Sequence, residues 1–255
     1  MNALLAAEGL SLHFGGVAAL SDVTLEVPEG SLLAVIGPNG AGKTSFFNCL
    51  TGYYRPNRGS VRFAGRDITR LPPDQVAALG IRRTFQNVRL FPRLTSRENV
   101  LAGAHLRATS NLVAMLLGTP ALRRQERLLA EEAEHWLAYV GLAGRGDVLA
   151  ADLPYGMRKR LEMARALIAH PRLLLLDEPA AGVSSVEREE LADVVRRTWE
   201  SGVTVVMIEH DVELVMRLAS TVAVLDRGRL LVQGPPEPVR QDPRVIEAYL
   251  GRRQR

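Results

Sequence analysis

The sequence predicts an α/β fold with a mainly parallel central sheet, an antiparallel β region before it and a helical block inserted into it. Three observations carry this expectation. Short apolar runs at 32–36, 173–176, 203–208 and 222–225 read as strands buried on both faces, and helical stretches lie between the later ones. Strands separated by helices in this way lie side by side and parallel. The first third alternates apolar and polar residues with period two, whereas residues 95–169 turn to a period near 3.6.

In chain order, Leu10-Ser11-Leu12-His13-Phe14 and Val23-Thr24-Leu25-Glu26-Val27 alternate as half-buried strands, punctuated by Gly and Pro. The run Leu32-Leu33-Ala34-Val35-Ile36 is a core strand, and Ser45-Phe46-Phe47-Asn48-Cys49-Leu50 reads as the start of a helix. Ser60-Val61-Arg62-Phe63 follows the turn-rich Arg55-Pro56-Asn57-Arg58-Gly59 and reads as another strand. Within the helical block, Leu122, Leu129, Ala133, Trp136 and Val140 share one helical face, and Gly141 supplies the stop. The expected organisation is a single domain over 1–255, with a helical subdomain at about 88–165 and a C-terminal tail at about 236–255. No internal repeat or low-complexity tail is visible.

Composition narrows the class. At 47% hydrophobic residues over 255 positions, the chain has ample material for a large packed core. No apolar run approaches bilayer length, and the N-terminus lacks the basic flank of a signal peptide, so a cytosolic location is expected. The lone Cys49 excludes an internal disulfide and a multi-cysteine zinc site. Net charge is +4, and all but two of the 32 basic residues are arginine. The arginines are scattered among acids rather than gathered into a stripe with aromatics, which argues against nucleic-acid binding.

The stretch Gly37-Pro38-Asn39-Gly40-Ala41-Gly42-Lys43-Thr44 fits a phosphate-loop pattern at every fixed position, between a core strand and a helix start. Such glycines let backbone N–H groups converge on phosphate oxygens at the positive end of the next helix. Lys43 would reach the terminal phosphates, and the Thr44 hydroxyl would hold Mg²⁺. A second signal is Leu173-Leu174-Leu175-Leu176-Asp177-Glu178, a buried strand delivering two carboxylates at its C-terminal end, where ligands of α/β sheets collect. Asp177 would serve the Mg²⁺ shell, and Glu178 would polarise an attacking water. The expected ligand is a nucleoside triphosphate with Mg²⁺.

These residues resemble the P-loop NTPases with a RecA-like core, and among them the ATP-binding cassette (ABC) ATPases, from about Leu10 to Leu250. The resemblance implies that Phe14 stacks on adenine. It implies that Gln86, in Arg83-Thr84-Phe85-Gln86-Asn87, belongs to a glutamine loop linking Mg²⁺ to a membrane partner. It further implies that Tyr155 and Gly156, in Leu153-Pro154-Tyr155-Gly156-Met157, face ATP in a signature segment, and that His210 is a switch histidine at the γ-phosphate. A finer similarity, to branched-chain amino-acid importer ATPases of the LivG type, rests on several stretches. They are Phe85 to Pro92, the Tyr155-Gly156 pair, Asp177-Glu178-Pro179-Ala180-Ala181-Gly182, Ile208-Glu209-His210-Asp211, the segment 104–124 and the tail Asp242 to Gly251. Importers of urea and other solutes share much of this.

Two departures from the family pattern stand out. Pro154 and Met157 replace the serine and glutamine of the common signature, leaving backbone N–H groups at a helix start to meet a phosphate. Ser184 replaces a common aspartate and, with Glu187, reads as a capping box. The resemblance implies a second ABC ATPase subunit, with a heterodimer expected from the altered signature, together with membrane permease subunits. An extracytoplasmic solute-binding protein would be an indirect partner, and the chain would sit on the cytoplasmic face of the membrane. A soluble ABC protein acting on DNA or ribosomes would usually carry two cassettes, long coiled coils or zinc motifs, none of which is visible.

Overall fold

The computed structural model describes residues 3–105 and 120–250. The apolar run 112–117 and most of the segment 104–124 lie outside them, as does Gly251. Two compact units emerge. One comprises Met1–Arg83, Arg172–Ala181 and Val195–Arg255, and the other Thr84–Pro171 and Gly182–Val194.

The first unit holds two sheets. Strands β1 (Ala3–Phe14), β2 (Val17–Pro28), β4 (Arg58–Phe63) and β5 (Arg66–Asp67) form an antiparallel sheet in the order β2-β1-β4-β5. The second sheet contains β3 (Leu32–Ile36), β6 (Ile81–Arg83), β7 (Leu173–Asp177), β8 (Thr204–Ile208), β9 (Thr221–Asp226) and β10 (Arg229–Gly234). Its order is β10-β9-β3-β8-β7-β6, and only the β9–β10 edge is antiparallel. Arg227 and Gly228, both at positive φ (47° and 76°), make the two-residue turn between those strands. That geometry matches the right-handed twist of the flanking strands.

Period explains the difference between the sheets. In β2 buried and exposed positions alternate, so one face meets the core. Every residue of β3, β7 and β8 is buried, because both faces are covered. Helix α1 (Lys43–Leu50) lies in the core shared by the two sheets, and so Phe46 and Phe47, adjacent in sequence, are both fully buried there. Each aromatic ring removed from water stabilises by about 1.5–3 kcal/mol. Burial pushes the Cys49 thiol up to about 11, as suits a small packed residue. The sheet also carries α2 (Pro73–Ala78), and the last part of the chain forms α7 (Val212–Leu218), α8 (Pro236–Gln241) and α9 (Pro243–Leu250).

In the second unit, α3 (Ser96–Gly103) starts with a capping box, Thr95 accepting from the Glu98 N–H while Glu98 accepts from Thr95. Helix α4 (Pro120–Tyr139) ends at Gly141, whose φ of 77° makes the stop expected of it. Helix α5 (Tyr155–Leu167) packs so closely on α3 that a Cβ on Gly103 would lie 1.9 Å from the Arg165 carbonyl oxygen. Helix α6 (Ser185–Glu200) begins at the anticipated Ser184–Glu187 box, with Ser184 N–H donating to Glu187 at 3.0 Å and Glu187 N–H to Ser184 Oγ at 3.3 Å.

Candidate functional site

Strand β3 ends at Ile36, and the chain turns back over its C-terminal edge to enter α1. The turn depends on glycine. A Cβ on Gly37 (φ 149°) would stand 2.0 Å from the Leu225 carbonyl oxygen, and one on Gly42 (φ 101°) 2.6 Å from that of Ala19. The loop is therefore pressed against neighbouring main chain, and Gly228 N–H donates to Ala41 O at 2.9 Å. Gly42 caps α1 without a side-chain hydrogen bond, and the first turn holds no acid, so its N–H groups and positive dipole end remain available to an anion. Lys43 folds back over the loop and donates to the carbonyl oxygens of Gly37 (2.7 Å) and Pro38 (3.1 Å). Asn39, Gly40 and Thr44 are exposed, whereas Ala41 is buried and helps seat the loop.

Asp177 and Glu178 close β7 on the same sheet edge, both nearly buried. Glu178 has a left-handed backbone (φ 50°) and donates its N–H to Ile208 O at 3.0 Å. A non-glycine residue in that region costs about 1–2 kcal/mol, which packing must hold in place. Its Oε1 meets His210 Nε2 at 2.5 Å. Thus the sheet brings together the β7 carboxylate and the histidine just beyond β8, parallel neighbours separated widely in sequence.

Two contributors were not singled out by sequence reasoning. Buried Glu209 accepts the N–H groups of Ala180 (2.7 Å) and His210 (3.1 Å), fixing the chain on both sides of the Glu178–His210 pair. Arg83 donates to Asp177 Oδ2 at 2.6 Å, a pair with both side chains buried. The signal for Glu209 was an acid directly after a wholly apolar strand; for Arg83 no local signal existed.

The remaining expected residues have defined settings. Phe14 is half exposed at the end of β1 and meets Tyr54 edge-on, ring centroids 5.2 Å apart. Gln86 is exposed in the second unit, three residues beyond β6. Tyr155 opens α5 with its ring partly exposed and flanked by Arg158 and Lys159. Gly156 packs against Glu187, whose Oε1 a Cβ would approach to 2.2 Å.

A cation would find suitable donors here. The exposed Thr44 hydroxyl and the Asp177 carboxylate are hard oxygen ligands, few in number, as suits Mg²⁺ that keeps water and nucleotide oxygens in its shell. Among the described residues no cluster of three or more His, Cys, Asp or Glu offers a cage made wholly of protein.

A glycine-framed loop opening a helix, with an acid pair on a nearby strand of a parallel sheet, defines a phosphate-loop nucleoside triphosphatase. Comparison with known proteins narrows the class. The ABC transporter family profile matches residues 20–181, and that of the branched-chain amino acid ATP-binding cassette transporters matches residues 229–254. The chain is 46% identical to the high-affinity branched-chain amino acid transport ATP-binding protein BraF of Pseudomonas aeruginosa, over 97% of this chain and 98% of that one. It is 43% identical to LivG of Salmonella typhimurium, with the same coverage. A crystal structure of an ATP-binding cassette of an ABC transporter in its ADP conformation superposes with a TM-score of 0.85 at 29% identity, covering 98% of this chain and 100% of the other. The chain belongs to the ABC transporter family and is its ATP-binding, ATP-hydrolysing cassette.

Proposed function

We propose that this chain binds MgATP through Gly37 to Thr44 and hydrolyses it as one of two cassettes driving uptake of branched-chain, hydrophobic amino acids. The observation that carries the hydrolytic part is the Glu178–His210 contact of 2.5 Å at the strand edge that also bears the phosphate loop. The solute is inferred from relatives at 43–46% identity over nearly the full chain, together with the family-specific tail at 229–254. Related importers of urea or other amino acids are the neighbouring alternative.

The chain's residues divide the work. Lys43 would exchange its two carbonyl partners for the terminal phosphates, and the α1 N–H groups would hold phosphate oxygens. Mg²⁺, when bound by Thr44 and Asp177, with Gln86 the further ligand that the family resemblance implies, would neutralise charge on the phosphoryl oxygens. Glu178 would take a proton from the attacking water, while His210 orients that carboxylate and contacts the γ-phosphate. Phe14 would stack on the adenine ring. Tyr155 and Gly156 would face the ATP held by the other cassette, offering backbone N–H groups at the start of α5.

No helix of the described residues is long and apolar enough to cross a membrane, so permease subunits would supply the path. The chain would sit at the cytoplasmic face, with an extracytoplasmic solute-binding protein acting on those permeases. Because Pro154 and Met157 lack the polar groups of a full signature, the partner cassette is inferred to be a different chain with an intact one. The ATP on Lys43 would then occupy the stronger site.

Glu178→Gln in the assembled transporter tests this reading. ATP binding should persist while single-turnover hydrolysis slows about 10²–10⁴-fold. The matching change in the partner should slow turnover less. Unchanged single-turnover hydrolysis removes Glu178 from the reaction, and equal losses from the two changes remove the asymmetry.

A further inference from the structure

Strand β6 carries two successive arginines that point to different places. Arg82 turns to the end of α2 and donates to the Ala77 carbonyl oxygen. Arg83 turns into the core beside α1. Its Nη2 donates to Asp177 Oδ2 at 2.6 Å, and its Nη1 donates to Asn48 Oδ1 (2.7 Å) on α1 and to Thr51 Oγ1 (3.2 Å) at that helix's C-cap. The guanidinium also lies over the Phe47 ring, 5.5 Å from its centre. One planar group therefore ties the carboxylate at the end of β7 to the helix that begins with Lys43 and Thr44.

A stability role alone accounts poorly for this. Burying a carboxylate and a guanidinium together costs desolvation that their attraction only roughly repays, so a buried pair is weak evidence for stability. Arg83 and Asp177 are about 6% and 4% exposed. What the arrangement does supply is orientation, because a guanidinium offers donors in a fixed fork. With Oδ2 held, the Asp177 carboxylate is oriented, and Oδ1 is the oxygen left to a cation's water shell.

We propose that Arg83 is a positioning residue for the Mg²⁺ site, holding Asp177 at a fixed distance from Thr44 through Asn48 of α1 and Thr51 at its C-cap. The proposal rests on Asp177 and Thr44 serving the cation. Partners of metal ligands commonly set affinity by tenfold or more. Arg83 also ends the first of the three stretches that make up the first unit, directly before the segment carrying Gln86.

The test uses the full chain with a non-hydrolysable ATP analogue and Mn²⁺ followed by electron paramagnetic resonance. Arg83→Gln should raise the Mn²⁺ concentration for half-saturation about tenfold, while metal-free nucleotide affinity in EDTA stays within about twofold. Arg83→Lys should fall between, since an ammonium keeps the charge but lacks the planar fork that spans Asp177 and Asn48. Asn48→Ala should weaken Mn²⁺ by about threefold, the effect of one net hydrogen bond near the lower end of the ordinary range. Half-saturation unchanged, or tightened because Arg83 merely competes with the cation, overturns the proposal. Should Arg83→Gln fail to fold, Arg83→Lys and Asn48→Ala decide alone, and wild-type values in both overturn it. Asp177→Asn separates the two readings. If it weakens Mn²⁺ while the arginine variants do not, only the role of Arg83 falls; if it too has no effect, Asp177 is not at the cation site and both fall.

Discussion

Helices α1 and α5 both begin without a side-chain cap, α1 after the left-handed Gly42 and α5 after the extended Pro154. Neither first turn contains an acid. Both therefore turn N–H groups that no side chain caps, and a positive dipole end, toward an anion. What holds each start in place differs. At α1 main chain meets main chain, with Gly37 against the Leu225 carbonyl and Gly42 against that of Ala19. At α5 side chains do the holding: the Glu187 carboxylate lies on Gly156, and the Tyr155 ring lies 3.3 Å from where a Gly182 Cβ would sit. Beneath them, buried Glu162 accepts the N–H groups of Arg89 (3.1 Å) and Phe85 and meets Arg165 at 3.4 Å. A cradle framed by backbone tolerates no change of shape. One framed by side chains can be retuned by substitution, which fits a signature that has lost its serine and glutamine.

The largest effect should come from Gly37→Ala. The new methyl meets a strand carbonyl that cannot move without breaking β9, at a φ that side chains avoid. A loss of about 3 kcal/mol in urea unfolding is expected, with nucleotide binding abolished. Binding within twofold of wild type would show that the loop yields after all, and the comparison would fail at its stronger end.

Next comes the support under α5. Glu162→Ala leaves Arg165 and two backbone donors without their acceptor and should cost about 2 kcal/mol. Burial raises the Glu162 carboxyl above its usual range, although Arg165 and the N–H groups oppose the shift. The folded protein thus holds this proton more tightly than the unfolded chain does. Its stabilising contribution is full below the unfolded pKa and is lost as pH rises through the folded one. Glu162→Gln should accordingly sit further below wild type at pH 5 than at pH 8. Melts that show the opposite trend would mean that the hydrogen bonds, not burial, dominate.

The smallest effect should be that of Gly156→Ala. Its φ is ordinary, and the obstacle is the end of a flexible side chain. A loss of about 1 kcal/mol is expected, most of it recovered when Glu187→Ala is added. Additive losses in that double-mutant cycle would mean that Gly156 is confined by something other than Glu187.

The core strands and the phosphate loop were legible because their signals are local. An all-apolar run of five residues and a glycine spacing ending in Lys-Thr need no distant partner to be read. The edges of the antiparallel sheet were less so. Strands β1 and β2 each run twelve residues, but the sequence marked only their alternating halves. Leu4, Leu5 and Ala7 are all buried in β1, and register shifts along its pairing interrupt the period. The Ser184–Glu187 box was readable because both partners lie within one turn.

Local order along the chain determined the class of protein: which runs become core strands, where a phosphate would meet a helix, and which acids and histidine stand at strand ends. Tertiary structure alone decided how those ends are fastened. Arg83 reaches Asp177 across 94 positions, Ala180 N–H reaches Glu209 across 29, and Gly37 is a glycine because of a carbonyl on β9. The physical reason is range. Periodicity and turn chemistry act between near neighbours, whereas the ion pair, the buried acceptor and the backbone contact exist only after the parallel sheet has set distant strands side by side.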